Sequence, residues 1–264
     1  MTKRNLVSKM LKTKLLLISP ELAKHIPLTK HLNRSMLSSM LHEYSMVYVK
    51  PDSGAQGKGV IRVDKIKQGY RYQHGFDVHT FTTFDSMYSS ISKHFGNKPY
   101  LVQKGIHLLK YKGRPFDFRV MIQRNPKRMW ECTGTLARLA HPGKAVTNGS
   151  QGGTIYDPSI LLASFADKKK TAAVLRTMNK LAHITALKLS QTDPRLNELG
   201  LDIALDQKLT PWILEVNTSP DAAPFSLLPN PQIIRTIVAY GKAYGKQHRT
   251  KCTKAKKAPI SAKA

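Results

Sequence analysis

Met46-Val-Tyr-Val-Lys50-Pro51-Asp-Ser-Gly54-Ala-Gln56-Gly57-Lys58-Gly59-Val60-Ile-Arg-Val63 joins two kinds of segment. A short run rich in β-branched and aromatic residues reads as a strand ending in a lysine. A polar loop with three glycines follows, and Val60 begins a second strand. Strand–loop–strand is a hairpin. In a P-loop or a dinucleotide-binding turn the glycine loop opens a helix, so neither applies here. A lysine at a strand end can reach a phosphate as a point charge. Gly54, Gly57 and Gly59, with Gln56 among them, let backbone N–H groups approach phosphate oxygens. Alone, such a loop is more often just a turn. Reading Lys50, Gly54, Gln56, Gly57 and Gly59 as a phosphate site depends on the rest of the chain.

Before the hairpin, Asn33 or Ser35 can cap a helix carrying Met36, Leu37, Met40, Leu41 and Tyr44 on one face. The first 42 residues read as a basic, partly helical lead-in. After the hairpin, 70–74 and 78–83 read as strands. Asp85 can cap a helix with Met87, Tyr88, Ile91 and Phe95 on one side. A strand at 99–103 leads to a connector. Residues 116–123 and 129–139 alternate as paired strands, and 141–153 form a glycine-rich loop. A helix is expected over 168–189, a hairpin from 201–205 and 212–216, and a last helix from 233. The tail 246–264, rich in Lys and Ala with little to bury, is expected to be disordered.

Three further groups carry polar chemistry. Asp117 and Arg119 share one face of a strand by the period of two, as a structural ion pair could. Arg138, with Asn148 and Gly152-Gly153 behind it, suits a transferring phosphoryl group. Hairpin pairing brings Asp202 beside Glu215 and Asn217, three hard oxygen ligands that suit Mg²⁺. Trp212, Leu214 and Val216 face the other way and read as core. Trp130 also reads as core.

The chain has 264 residues, of which 41% are hydrophobic, enough for a folded core in one large domain or two small ones. Its longest apolar runs, 15–18 and 160–163, cannot span a bilayer, and Lys12 and Lys14 argue against a secretory signal. Two cysteines cannot build a disulfide framework, so a reducing, cytoplasmic compartment is expected. With 43 Lys+Arg against 16 Asp+Glu, the net charge is +27 and the expected partners are polyanions. Residues 222–264 hold nine bases and no acid. A nucleic-acid partner would rest on charge alone, since no helix-turn-helix, RNP or zinc-finger pattern is present. No Ser/His/Asp or Cys/His arrangement supplies a covalent nucleophile.

Lys-Pro with a glycine loop, Gln103-Lys104-Gly105-Ile106 after a strand, Asp-x-Arg, Asn…Gly-Gly and Asp…Glu-x-Asn, in this order, resemble the ATP-grasp superfamily. Val-Tyr-Val-Lys-Pro, Phe-Asp-Phe-Arg-Val and Leu-Glu-Val-Asn-Thr-Ser-Pro resemble its YheC/YheD group, labelled endospore coat-associated. Trp130, Gly134, Arg138 and Val146-Thr-Asn148 fall where that group's pattern has them. The resemblance covers about residues 26–245. It implies an α+β fold, the ATP-grasp fold, with two α+β lobes and ATP bound between them. Lys50 would hold the α- and β-phosphates under the loop Gly54–Gly59. Gln103, Lys104 and Ile106 would bond adenine. Asp202, Glu215 and Asn217 would carry one or two Mg²⁺, and Arg119, Arg138 and Asn148 would face the γ-phosphate or the acyl-phosphate. Lys30 stands as the superfamily's second, earlier lysine.

Only about 45 residues precede the lysine strand, so the superfamily's N-terminal pre-grasp domain is expected to be largely absent. The expected division is a basic lead-in over 1–45, an ATP-grasp domain over 46–245 and a basic tail over 246–264. The implied activity is a Mg-ATP-dependent ligase joining an unknown carboxylate to an amine or thiol through an acyl-phosphate. An open basic groove would suit a polymer or protein as that substrate. The alternative is a non-catalytic ATP-grasp scaffold associated with the spore coat.

Overall fold

The computed structural model describes residues 6–54, 57–143 and 152–259. Gln56 and Asn148, both expected at the site, lie outside these residues. The chain opens with α1 (Lys9–Leu17) and α2 (Pro20–Ala23), capped by the side chains of Ser8 and Ser19. Next come β1 (Thr29–His31), α3 (Arg34–Tyr44), β2 (Met46–Pro51), β3 (Ile61–Ile66), β4 (Gly69–His74), β5 (Asp77–Phe81), α4 (Phe84–Ile91) and β6 (Tyr100–Lys104). These strands form one antiparallel sheet in the order β1-β6-β2-β3-β4-β5. The glycine loop is therefore the turn of a β2–β3 hairpin, as its sequence predicts. Leu37, Met40 and Leu41 of α3, with Met87 and Ile91 of α4, bury one face of this sheet against Val47, Val49, Ile61 and Val63.

Asn33 caps α3, its side chain accepting from the Met36 N–H at 2.7 Å. The cap of α4 is Thr83 rather than Asp85. Thr83 has the extended backbone a cap needs, and its hydroxyl accepts from the Ser86 N–H. Asp85 lies in the first turn and pairs with Arg34.

The second lobe holds β7 (Lys110–Tyr111), β8 (Arg114–Arg124), β9 (Trp130–Leu139), β10 (Thr154–Tyr156), α5 (Pro158–Leu162), α6 (Lys168–Thr192), β11 (Glu198–Leu205), β12 (Pro211–Asn217), α7 (Pro231–Ala243) and β13 (Lys256–Lys257). Its sheet runs β12-β11-β8-β9-β10-β13, with β7 paired to β8. Alternation decides its two faces. Phe116, Phe118, Val120 and Ile122 of β8, with Leu199, Leu201 and Ile203 of β11, pack under α6. Asp117, Arg119, Asp202 and Arg138 thereby share the opposite face. Part of that face is covered by Phe225, Leu228 and Ile237, packed on Met121, Leu136 and Ile155.

Both chain ends differ from expectation. Residues 6–45 are no separate lead-in. Leu6, Leu16, Leu22 and Ile26 belong to the second lobe's core, whereas β1 is the edge strand of the first sheet. This segment ties the lobes together, its apolar residues being spaced among lysines that hid the pattern. Residues 246–259 are also placed. Lys256 and Lys257 pair in parallel with Thr154 and Ile155, and the His248 side chain is 3% exposed. Trp130 is buried, and its indole N–H donates to Ser190. No helix among the described residues is long and apolar enough to cross a membrane.

Gly134 of β9 is where α7 presses closest. A Cβ there would lie 2.7 Å from Ile233 Cγ2 and 3.0 Å from Phe225 Cε1. Gly134→Ala is expected to cost roughly 1–3 kcal/mol by overpacking, read as a lower urea midpoint at unchanged slope. An unchanged midpoint would mean that α7 gives way freely.

Candidate functional site

The site lies in the gap between the two sheets, and strand register assembles it. Asp202 pairs with Arg119 on β8 and with Glu215 on β12, and Asp117 pairs with Arg138 on β9. Asp117 and Arg119 do not bond one another. Arg138 clamps Asp117 with two bonds, 2.8 and 2.6 Å, and comes within 3.1 Å of Asp202. Arg119 Nε donates to Asp202 Oδ1 at 2.5 Å. Gly200 makes room for Arg119, since a Cβ there would stand 3.2 Å from Arg119 Cδ and 2.6 Å from Pro220.

Burial would raise the Asp202 pKa, but Arg119 and Arg138 outweigh it and hold the carboxyl below its usual range. Burial opposes the Arg138 charge as well. Asp117 and Asp202 overcome it and leave that guanidinium firmly protonated.

Lys50, 8% exposed, donates to Gln103 Oε1 at 2.9 Å and to the Leu214 carbonyl at 3.2 Å. Gln103 in turn donates to Thr29 Oγ1. Gln103 lines the gap, but its amide orients Lys50. Burial pushes the Lys50 ammonium down to about 8, with Glu215 and Asp202 pulling the other way. Lys30 does not reach the site. On β1 the buried position is Thr29, and Lys30 faces solvent.

The further cations come from α1 instead. Lys9 donates to the Gly54 carbonyl at 2.9 Å and lies 3.5 Å from Glu215. Lys12, one turn on, is likewise pushed down to about 8 by burial, against the pull of Glu215. The i, i+3 spacing of Lys9 and Lys12 was the signal available for them. Asp52 seats this helix by accepting from the Met10 N–H at 2.7 Å.

A cleft runs through the gap between the two sheets. Val60, Ile106, Leu108 and Leu214 give it apolar lining, and Lys50, Arg138, Asp202 and Glu215 polar lining, together with Gly57 and Lys104. Leu214 was expected in the core. The β11–β12 register slips between Asp202 and Ile203, so Leu214 is the extra residue of a bulge and turns into the cleft. Gly54 and Gly59 have φ of +130° and +73°, which glycine alone adopts without strain.

Among the described residues no group of three or more His, Cys, Asp or Glu side chains is placed to hold a metal. Asp202 and Glu215 are cross-strand partners, and Asn217 lies opposite Gly200, whose carbonyl accepts from its amide at 3.3 Å. Two carboxylates and an amide complete a coordination shell only together with phosphate oxygens and water. That is how Mg²⁺ is usually held, so this donor set fits Mg²⁺ carried in with a polyphosphate.

A family model described as YheC/D-like ATP-grasp matches residues 1–247. The chain belongs to this family. It is 28% identical over 200 residues to the endospore coat-associated protein YheD of Bacillus subtilis, covering 72% of this chain and 43% of that one. It is 27% identical over 202 residues to YheC of the same organism, covering 74% and 55%. A probable tubulin polyglutamylase of Caenorhabditis elegans, ttll-9, is 30% identical over 203 residues, covering 65% and 45%. The chain thus spans about half the length of these curated relatives.

Two solved structures share the fold. An N5-carboxyaminoimidazole synthase from Aspergillus clavatus, in complex with ADP, superposes with a TM-score of 0.52 at 8% identity, covering 96% of this chain and 55% of that one. The D-cycloserine synthetase DcsG gives 0.50 at 14% identity, covering 88% and 69%. The two-lobed α+β architecture is the ATP-grasp fold.

The two depressed lysines have a consequence for stability. Their folded pKa values lie below the ordinary 10.5, so the folded chain holds fewer protons between about pH 8 and 10.5. The penalty is complete below pH 8 and vanishes as pH rises through 10.5. Lys12→Met is expected to be more stable than wild type at pH 7, by on the order of 2–3 kcal/mol. Urea denaturation should show that gap closing as pH rises through 8 and beyond. A constant gap would mean that Lys12 carries no buried charge.

Proposed function

We propose that the chain is a Mg-ATP-dependent ligase that joins a carboxylate to an amine through an acyl-phosphate. The observation that carries this reading is one cleft that combines apolar lining with buried cations beside the Asp202–Glu215 pair. The base lies against Ile106, Leu108 and Leu214. Lys50, with Lys9 and Lys12 behind it, neutralises the phosphates. Asp202, Glu215 and Asn217 hold Mg²⁺, which supplies charge neutralisation of the phosphate oxygens when bound. Arg119 and Arg138 stand beside that pair, where a carboxylate can meet the γ-phosphate.

A carboxylate oxygen attacks the γ-phosphorus, the bond to the ADP oxygen breaks, and an acyl-phosphate forms. The amine then attacks the acyl carbon, phosphate leaves, and the amine proton passes to solvent. Charge spread over the transferring group is met by Arg138 and Lys50, so no protein nucleophile is required. A thiol could replace the amine by the same displacement. The ADP in the fungal synthase structure and the polyglutamylase name of the nematode relative support this reading.

The names of the two Bacillus relatives favour a second reading, a coat-associated scaffold without turnover. Phosphate release from ATP across a panel of carboxylates and amines separates the two. Wild type is expected to turn over with at least one pair. Glu215→Gln is expected to lose about a hundredfold or more of that activity and the Mg²⁺-dependent part of ATP binding, with its melting temperature kept. Turnover unchanged in Glu215→Gln would overturn the metal assignment. Mg-ATP binding without turnover on any pair would favour the scaffold.

A further inference from the structure

Beyond α7 the chain turns back as a strap fixed at both ends. At the near end the Lys246 N–H donates to the Gly241 carbonyl at 2.8 Å, and Lys246 and His248 converge on buried Glu198. His248 Nε2 lies 3.0 Å from Glu198 Oε2, and the Tyr244 hydroxyl donates to the same oxygen at 2.7 Å. His248 fits against Gly241, where a Cβ would stand 2.5 Å from its ring. At the far end Lys256 and Ala258 donate their N–H groups to the carbonyls of Gly153 and Ile155. Between these anchors, Arg249 and residues 251–255 form one wall of a second pocket.

That pocket shares Arg138, Asp202 and Glu215 with the cleft, and adds Arg119, Asn217 and Ser219. A molecule in it therefore meets the residues that the two pockets share. The strap contributes Arg249, Lys251 and Lys254 to its wall. Opposite them stands one exposed carboxylate, Asp221, 4.0 Å from Arg249. Asp202 is already engaged by Arg119 and Arg138. Arg249, Lys251 and Lys254 lie beyond residues 1–247, which the family model matches, so this wall is no part of that match.

We propose that the strap builds the acceptor site, and that the acceptor is an oligocarboxylate, carrying carboxylates beyond the one that reacts. The proposal rests on the ligase reading above. The reacting carboxylate meets the γ-phosphate beside Arg119 and Arg138, whose own partners are Asp117 and Asp202. Three more cations, two or three residues apart on the strap, are in excess of that need and match further carboxylates on the same molecule. They select by charge and speed encounter, and salt weakens their effect because they are exposed.

The test uses the full chain saturated with MgADP and a fluorescent hexaglutamate peptide, read by anisotropy. Hexaglutamate is expected to bind, and Arg249→Glu/Lys251→Glu/Lys254→Glu to weaken it about tenfold or more, with MgADP affinity kept within about twofold. The exposed triple Lys168→Glu/Lys169→Glu/Lys170→Glu, an equal charge change on α6, is expected to leave hexaglutamate affinity alone. Normal MgADP binding with no hexaglutamate binding, with no effect of the strap variant, or with equal loss in both triples, overturns the acceptor proposal alone. Failure of MgADP to bind the wild type overturns the ligase reading and this proposal with it.

Discussion

Between the two sheets, Lys9, Lys12, Lys50, Arg119 and Arg138 converge on Asp117, Asp202 and Glu215. Burial there makes every unmatched charge expensive, and positive charge is in excess. The two arginines are matched by bidentate or short bonds to aspartates. The lysines are not matched to the same degree, and two of them respond by holding their protons less tightly. A chain selected for stability alone would not keep three amines there. A polyphosphate arriving with its cation would restore the balance, which makes the imbalance a feature of the site rather than of the fold.

The rest of the structure maintains that arrangement. The N-terminal segment places Lys9 and Lys12 against Glu215 by anchoring α1 to Asp52 and to the second lobe's core, while β1 extends the first sheet. Lys50 is held straight by a Gln103–Thr29 relay that crosses from β6 to β1. In the second sheet, alternation separates a wholly apolar face under α6 from a face that carries the aspartates and arginines. One bulge, at Leu214, then supplies the apolar wall beside them.

Much of this was legible in the residues. Alternation and pairing rules were enough to place Lys50, the glycine hairpin and the Asp202–Glu215 pair, because each follows from local period and turn chemistry. What escaped has physical reasons. A bulge shifts one residue without leaving a mark in hydropathy, so Leu214 read as core. Lys9 and Lys12 fell within a basic, partly helical lead-in, since sequence does not reveal which helix face meets a neighbouring lobe. Lys30 looked suitable by position, but alternation on β1 turns Thr29 inward. The tail looked unfoldable from its Lys and Ala content, because its anchors are Lys246 and His248 on Glu198 and a few backbone bonds rather than apolar surface.

The central claim is that Lys50 in the cleft, and the buried lysines behind it, are held for a polyphosphate. If so, binding must return protons to them. The direct measurement is calorimetry of MgADP binding near pH 8.5 in two buffers of different ionisation enthalpy. The account predicts that the apparent heat differs between buffers in the sense of proton uptake, and that the uptake shrinks when Lys50 is replaced by methionine. Binding with no net proton uptake, or no binding at all, would contradict it.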